Sequence, residues 1–368
     1  MLTKSFASVA TIVVGTTLSA STAYAQWSVT NLHPAGATMS NSYASGGTQQ
    51  AGVVEVNDER HASLWSGTAA SFVDLHPAGA RESAVLGASS THQVGYAITG
   101  GVSRAGMWTG TAASWTDLHP DGASRSALWG VRGGQQVGSA TIDGVRRAGV
   151  WMGTSASFVD LAPAVASDSV TYATNGTHQI GYAVIAGANR ASLWSGSAAS
   201  WTDLNPVGAT QSVGTTANST QQGGWAAVGG VFQASVWSGD AASWTSLHPA
   251  GATISGVFGM NETHQVGYAR IGNVDRAGIW SGTAALWEDL SLALPTGFTS
   301  SYAQGIFDDG TTVYVTGYGF NIGTGREEAL LWTRPIPAPG AAVVLGLGAL
   351  MASRRRRAVV APRSHSGT

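Results

Sequence analysis

Histidines are the residues in this 368-residue chain with the widest chemical range, because it has nine of them and no cysteine. Four, His33, His76, His119 and His248, precede a proline in a recurring phrase, as in "DLHPAGA" from Asp74, "DLHPDGA" from Asp117 and "SLHPAGA" from Ser246. Three more, His92, His178 and His264, each open a Gln-Val-Gly or Gln-Ile-Gly run. Imidazoles at one interval could hold metal ions, which requires neutral rings converging at about 2 Å on one centre. Neither column is constant: the first becomes Ala162, Asn205 and Ser291, and the second becomes Gln49, Gln135 and Gln221. Polar residues at turn edges account for both columns. His61 takes the place of an arginine and His365 lies in the C-terminal tail.

Other chemistry is equally sparse. Asp308-Asp309-Gly310 lacks the further spaced acids of a calcium loop and reads as a hairpin turn. The Asn-x-Thr triplets at Asn175, Asn218 and Asn261 recur at 43 residues, so turn chemistry explains them without glycosylation. Zinc-thiolate sites and cysteine nucleophiles are excluded, no phosphate loop or nucleophile elbow occurs, and no cofactor is expected. Arg132, Trp225, Phe232 and Arg270 differ most from their repeat columns and are the candidates for a ligand pocket.

The elements that would position such residues follow from an internal repeat. Trp65, Trp108, Trp151, Trp194, Trp237 and Trp280 fall at intervals of 43, accompanied by Gly95, Gly138, Gly181, Gly224 and Gly267. Within one unit, "SAVLGAS", "HQVGYAI", "RAGMWTG" and "SWTDLHP" read as four short strands separated by turn residues. Four strands in 40 to 50 residues make a β-propeller blade, whereas a β-helix uses shorter coils and a helical solenoid a 3.6-residue period. Six complete units end near residue 294. A seventh begins at Ser300 and stops at Pro335 without its fourth strand, while "WSVTNLHPAGA" near the N-terminus is a fourth strand without its first three. The expected fold is therefore an all-β, seven-bladed propeller over 26–335, closed by an N-terminal strand. Pairing the third and fourth strands around "TGTAA" predicts Arg104 opposite Asp117, Gly106 opposite Trp115, and, at the closure, Glu328 opposite Asn31 and Leu330 opposite Val29.

The units, with "HASLW" at 61–65, "VDL" at 73–75 and "HQVGYA" at 92–97, resemble divergent HAF repeats, an extracellular bacterial repeat. That resemblance implies a propeller-like surface protein and no particular chemistry. The ends agree with export. Lys4, the apolar run "FASVATIVVGTTLSA" and Ala23-Tyr24-Ala25 have the order of a signal peptide spanning 1–25. At the other end, Pro337, Pro339 and Gly340 precede an apolar run from Ala341 to Ala352 and the basic cluster Arg354, Arg355, Arg356 and Arg357. That run is shorter than the roughly 20 residues of a spanning helix. The segment 336–357 resembles a PEP-CTERM sorting signal, which implies an exosortase-type processing enzyme as partner in a Gram-negative envelope and transient or single-pass membrane association, with 358–368 trailing it.

Lys4, Arg354–Arg357 and Arg363 lie outside the repeat region, which leaves 12 basic against 20 acidic residues there, net −8. A nucleic-acid partner is excluded by that balance. The sequence thus points to an exported, non-enzymatic binding or structural module at the cell surface or in the matrix, with extracellular polysaccharide or surface proteins as partners. Two alternatives stand beside it: a carbohydrate-binding propeller lectin, and a polysaccharide-active enzyme whose acids converge at the central channel.

Overall fold

The computed structural model describes residues 26–337, which form seven four-stranded antiparallel sheets. Six take their strands in chain order; the first is Met39–Gly46, Gln49–Val56, Glu59–Trp65 and Val73–Asp74. In the seventh, Phe298–Asp308, Thr312–Asn321 and Arg326–Pro335 are completed by Ser28–Asn31. The ring is a seven-bladed β-propeller closed by its N-terminal strand, as the two loose ends of the repeat require. Pro337 is the last residue described; Ala23, Ala25, Pro339, Gly340 and Arg354–Arg357 lie outside.

The repeated tryptophan has a packing role. Trp65, Trp108, Trp151, Trp194, Trp237, Trp280 and Trp332 are fully buried, as are the leucines of the connections, Leu32, Leu75, Leu118, Leu161, Leu204, Leu247 and Leu290. Leu118 packs against Trp151 of the following blade, and the Trp151 indole Nε1 donates to the Leu118 carbonyl at 3.0 Å. Each connection is therefore a strap seated on the next blade's indole, and burying roughly 150–250 Å² per aromatic makes this the main source of cohesion. The glycine column is steric: a Cβ at Gly95 would overlap the Ala84 carbonyl oxygen of the neighbouring strand, and the same overlap recurs at Gly138, Gly181, Gly224, Gly267 and Gly317.

The predicted cross-strand register needs a correction of two residues. Gly106 opposes Asp117, and at the closure Asn31 opposes Leu330 while Val29 opposes Trp332. The fourth strand is also shorter than "SWTDLHP" suggests, because only Thr116–Asp117 pair and a 3₁₀ turn at Ala112–Ser114 precedes them. Ser114 Oγ in that turn accepts from the Thr109 amide at 2.8 Å and donates to the Thr111 carbonyl at 2.6 Å. The turn lifts Trp115 out of the ladder and lays its ring over Gly106, where a Cβ would collide with it. The charged partners still meet, on the diagonal. Arg147 Nη1 reaches Asp160 at 2.9 Å, Arg190 reaches Asp203 at 2.8 Å, and Asn31 Nδ2 donates to Glu328 at 2.7 Å. Where both charges are absent, Ser246 Oγ donates to Gln233 Oε1 at 2.8 Å.

Candidate functional site

Each blade's first strand carries one residue too many for its partner. The ladder slips at Tyr43, Leu86, Trp129, Tyr172, Thr215, Phe258 and Gln304, an equivalent β-bulge in every blade, and the fifth and seventh blades slip a second time near the start of the strand, at Thr210 and Thr299. A bulge bends its strand and re-aims one side chain. Those seven residues all line a cavity of about 740 Å³ surrounded by the first strands of all seven blades, which is the central channel. The frame repeats but the side chains it presents do not, and four of the seven are aromatic. Sequence reasoning passed over this ring. The available signal was a 43-residue column reading Tyr, Leu, Trp, Tyr, Thr, Phe among otherwise repeated neighbours.

At the channel end where the first and second strands join, Arg132 and Glu262 approach to 3.7 Å. They belong to the third and sixth blades, so the pair spans the mouth. Glu262 also accepts from Ser219 Oγ at 2.6 Å. Beside it runs an asparagine ladder: Asn175 Nδ2 donates to the Asn218 carbonyl at 3.1 Å, Asn218 to the Asn261 carbonyl at 3.0 Å, and Asn261 to Asp308 at 2.8 Å. Their Oδ1 atoms accept from amides of their own turns, as Asn175 does from His178 at 2.8 Å. Asp309 is likewise a turn residue. Its Oδ1 accepts from the Thr311 hydroxyl and amide and the Thr312 amide, and these bonds hold its carboxyl down at about 2.

At the opposite end, Arg270 grips Asp275 through both carboxylate oxygens at 2.7 and 2.9 Å, and the Tyr302 hydroxyl donates to the same carboxylate. Burial alone would raise the Asp275 carboxyl, but the bonds from Arg270 and Tyr302 outweigh it and hold it below its ordinary value. Glu328 follows the same rule: burial pushes up, and hydrogen bonds from Thr324, Asn321, Asn31 and Arg326 bring it down overall. Carboxylates held this way stay ionised. They suit charge pairing and not proton donation.

Of the four residues singled out by the repeat columns, Arg132 lines the channel. Arg270 belongs to the ion pair just described, and Trp225 and Phe232 form an edge-to-face pair 5.1 Å apart on the fifth blade. They are not brought together into one pocket.

The proline-linked histidines are clamps. His76 Nε2 meets the Ala80 carbonyl at 2.9 Å, so it must carry the proton, and Nδ1 then accepts from Ser83 Oγ at 2.8 Å. Ser83 Oγ in turn accepts the Ala62 amide of the preceding blade at 2.9 Å. His33, His119 and His248 repeat the arrangement with Ser40, Ser126 and Ser255. Asn205 reproduces it with an amide, donating to the Ala209 carbonyl at 3.2 Å and accepting from Ser212 at 2.7 Å. An amide can replace the imidazole because only one donor and one acceptor are needed.

Glu59, His61 and His76 place ligand-type atoms within 4.8 Å of one another. Their geometry opposes a metal. The two imidazoles stack at 4.0 Å with an 18° interplanar angle, so their in-plane lone pairs run side by side and do not converge. Both His76 nitrogens are engaged, and His61 Nδ1 is bound to Asp74 at 2.8 Å.

Fold and channel together define a seven-bladed β-propeller with an aromatic-lined axis. No known protein family and no characterised protein matches the chain by sequence. Solved propellers match by shape. The propeller domain of the Trilobed protease from Pyrococcus furiosus superposes with a TM-score of 0.51 at 10% identity, over 82% of this chain and 98% of that one. It is described as having an open velcro topology, whereas here Ser28–Asn31 pairs with Arg326–Pro335. An acylaminoacyl peptidase gives 0.51 at 8% identity, over 84% of this chain and 53% of that one. TolB from Acinetobacter baumannii gives 0.43 at 10% identity; 66% of this chain is covered, and it spans 63% of the length of that protein. Likeness at such identity extends to the fold.

Proposed function

We propose that the protein is a non-enzymatic binding module exported to the cell surface or extracellular matrix, with a PEP-CTERM-like tail as its sorting signal and an exosortase-type enzyme as its processing partner. The observation that carries the binding role is the bulge ring, which uses a repeated backbone to present seven side chains of six kinds to one channel. Aromatic faces in a channel favour ligands with apolar faces and polar edges. A carbohydrate ligand is the second reading, favoured by Tyr43, Trp129, Tyr172 and Phe258 in that wall.

Purified 26–337 tested on a glycan array and on a polysaccharide hydrolysis panel decides the role. Saturable binding without turnover supports it, and bond cleavage lost on Glu262→Gln or Asp275→Asn overturns it. Cell fractionation with and without 336–368 tests the sorting claim, because unchanged association without the tail refutes it.

A further inference from the structure

A second cavity, of about 450 Å³, opens beside the third blade, with Ser139 in its lining. The second strands of five blades place an aromatic at Tyr96, Tyr182, Trp225, Tyr268 and Tyr318, in the column that reads Val53 in the first blade and Ser139 in the third. Ser139 opposes Ala127 and Ala148, as Tyr96 opposes Ala84 and Ala105. The volume of a phenol ring is thereby left empty.

What lines the vacancy is polar. Ser139 is 96% buried, being 4% exposed, and lines the cleft. A hydroxyl so placed can donate to or accept from what enters the cleft. Arg146 lies there neutralised by Asp168, with Nη2 to Oδ1 at 2.9 Å. Arg125 also lies there, exposed and without an ion pair among the described residues, in a repeat region of net −8. Trp129 closes the inner side, which it shares with the channel.

We propose that this cleft binds a carboxylate-bearing sugar, such as a terminal hexuronate of an acidic polysaccharide. The indole of Trp129 takes the C–H face of the pyranose ring, and the Arg125 guanidinium meets the carboxylate through its planar fork. Ser139 and the Arg146–Asp168 pair supply a hydroxyl, donors and acceptors for ring hydroxyls. A cavity of this size falls in the roughly 300–1,000 Å³ range of small-ligand sites. The proposal rests on the binding-module reading but names a site separate from the channel mouths.

The test titrates 26–337 with glucuronate and galacturonate oligosaccharides, neutral gluco-oligosaccharides of equal length and a sulfated oligosaccharide, by calorimetry at two salt concentrations. The expected result is preference for the uronates, weakening with salt. Arg125→Gln should lose it by roughly tenfold or more, as removal of a charge-assisted bond does. Ser139→Tyr, which restores the aromatic of five other blades, should fold normally and abolish binding, while Val207→Ala, at an exposed position outside the cleft, should leave uronate binding unchanged. Equal affinity for neutral and acidic sugars, tighter binding of the sulfated one, or full binding by Ser139→Tyr overturns the assignment. Neutral-glycan binding that survives both cleft variants would sink this site and leave the module reading intact; hydrolysis of the oligosaccharides would sink the module reading itself.

Discussion

Leu32 and His33 are adjacent just after the strand that closes the ring, and replacing each in turn separates a packing role from a chemical one. Leu32 is fully buried in a cluster with Val54, Trp65, Ala329 and Leu331, which joins the first and seventh blades. Leu32→Ala removes three carbons from a site walled by two blades that cannot collapse onto it, so the cost is about 2–5 kcal/mol. His33 is half-buried and makes two side-chain bonds, to Ser40 at 2.8 Å and to the Ala37 carbonyl at 3.1 Å. At a net of about 1 kcal/mol per bond, His33→Ala costs about 1–2 kcal/mol. Ser40 Oγ still accepts from the Ala329 amide at 2.9 Å, but its own hydroxyl hydrogen loses the His33 acceptor and must turn to water entering the space of the half-buried ring, which puts the cost at the upper end of that range. Urea unfolding followed by tryptophan fluorescence measures both, with the free-energy change taken from the midpoint and a shared slope. The reasoning is refuted if His33→Ala costs as much as Leu32→Ala, because the histidine would then do more than clamp a strap. Leu118→Ala, in the equivalent strap between the second and third blades, should match Leu32→Ala within about 1 kcal/mol.

Three further outcomes follow. Gly95→Ala should cost more than Leu32→Ala and yield little folded protein in an expression and circular-dichroism assay, since the new Cβ overlaps the Ala84 carbonyl oxygen and backbone must move. Arg132→Ala should change stability by no more than about 1 kcal/mol, because its pair with Glu262 is half exposed, and should instead speed small-ligand entry at low salt in stopped-flow fluorescence. Burial lowers the His33 and His264 imidazoles below their ordinary 6.5, aided by Arg326 and Arg334 respectively. The unfolded chain then binds protons that the folded one does not, so stability is full above 6.5 and falls as pH drops below it. Urea midpoints at pH 7.5 and 5.5 should show that decline, and His264→Gln should reduce it.

The interval of 43 was legible because every blade must bury the same indole under the same strap, and a packed repeat leaves little freedom at Trp65 or Gly95. Ring closure was legible for a related reason: an unpaired strand edge is costly, so three strands at one end and one at the other had a single economical solution. The diagonal register was not, because "SWTDLHP" does not disclose that Ser114 folds the chain into a 3₁₀ turn that takes Trp115 out of the ladder.

The proline-linked histidine column already excludes a required imidazole, since Ala162 and Asn205 stand in it. Only the tertiary structure shows what the residue does there, which is to hold a serine that receives the previous blade's amide. The channel and the cleft were the least visible. A bulge is an extra residue in one strand relative to its partner, and a single sequence contains no partner to count against. Ser139 was one polar residue in an aromatic column until the surrounding strands showed that the missing ring leaves a space. Local propensity and repeat spacing, which act along the chain, were fixed by the sequence alone. The vacancy at Ser139 and the direction of seven bulged side chains depend on distances between blades, and those exist only once the ring has closed.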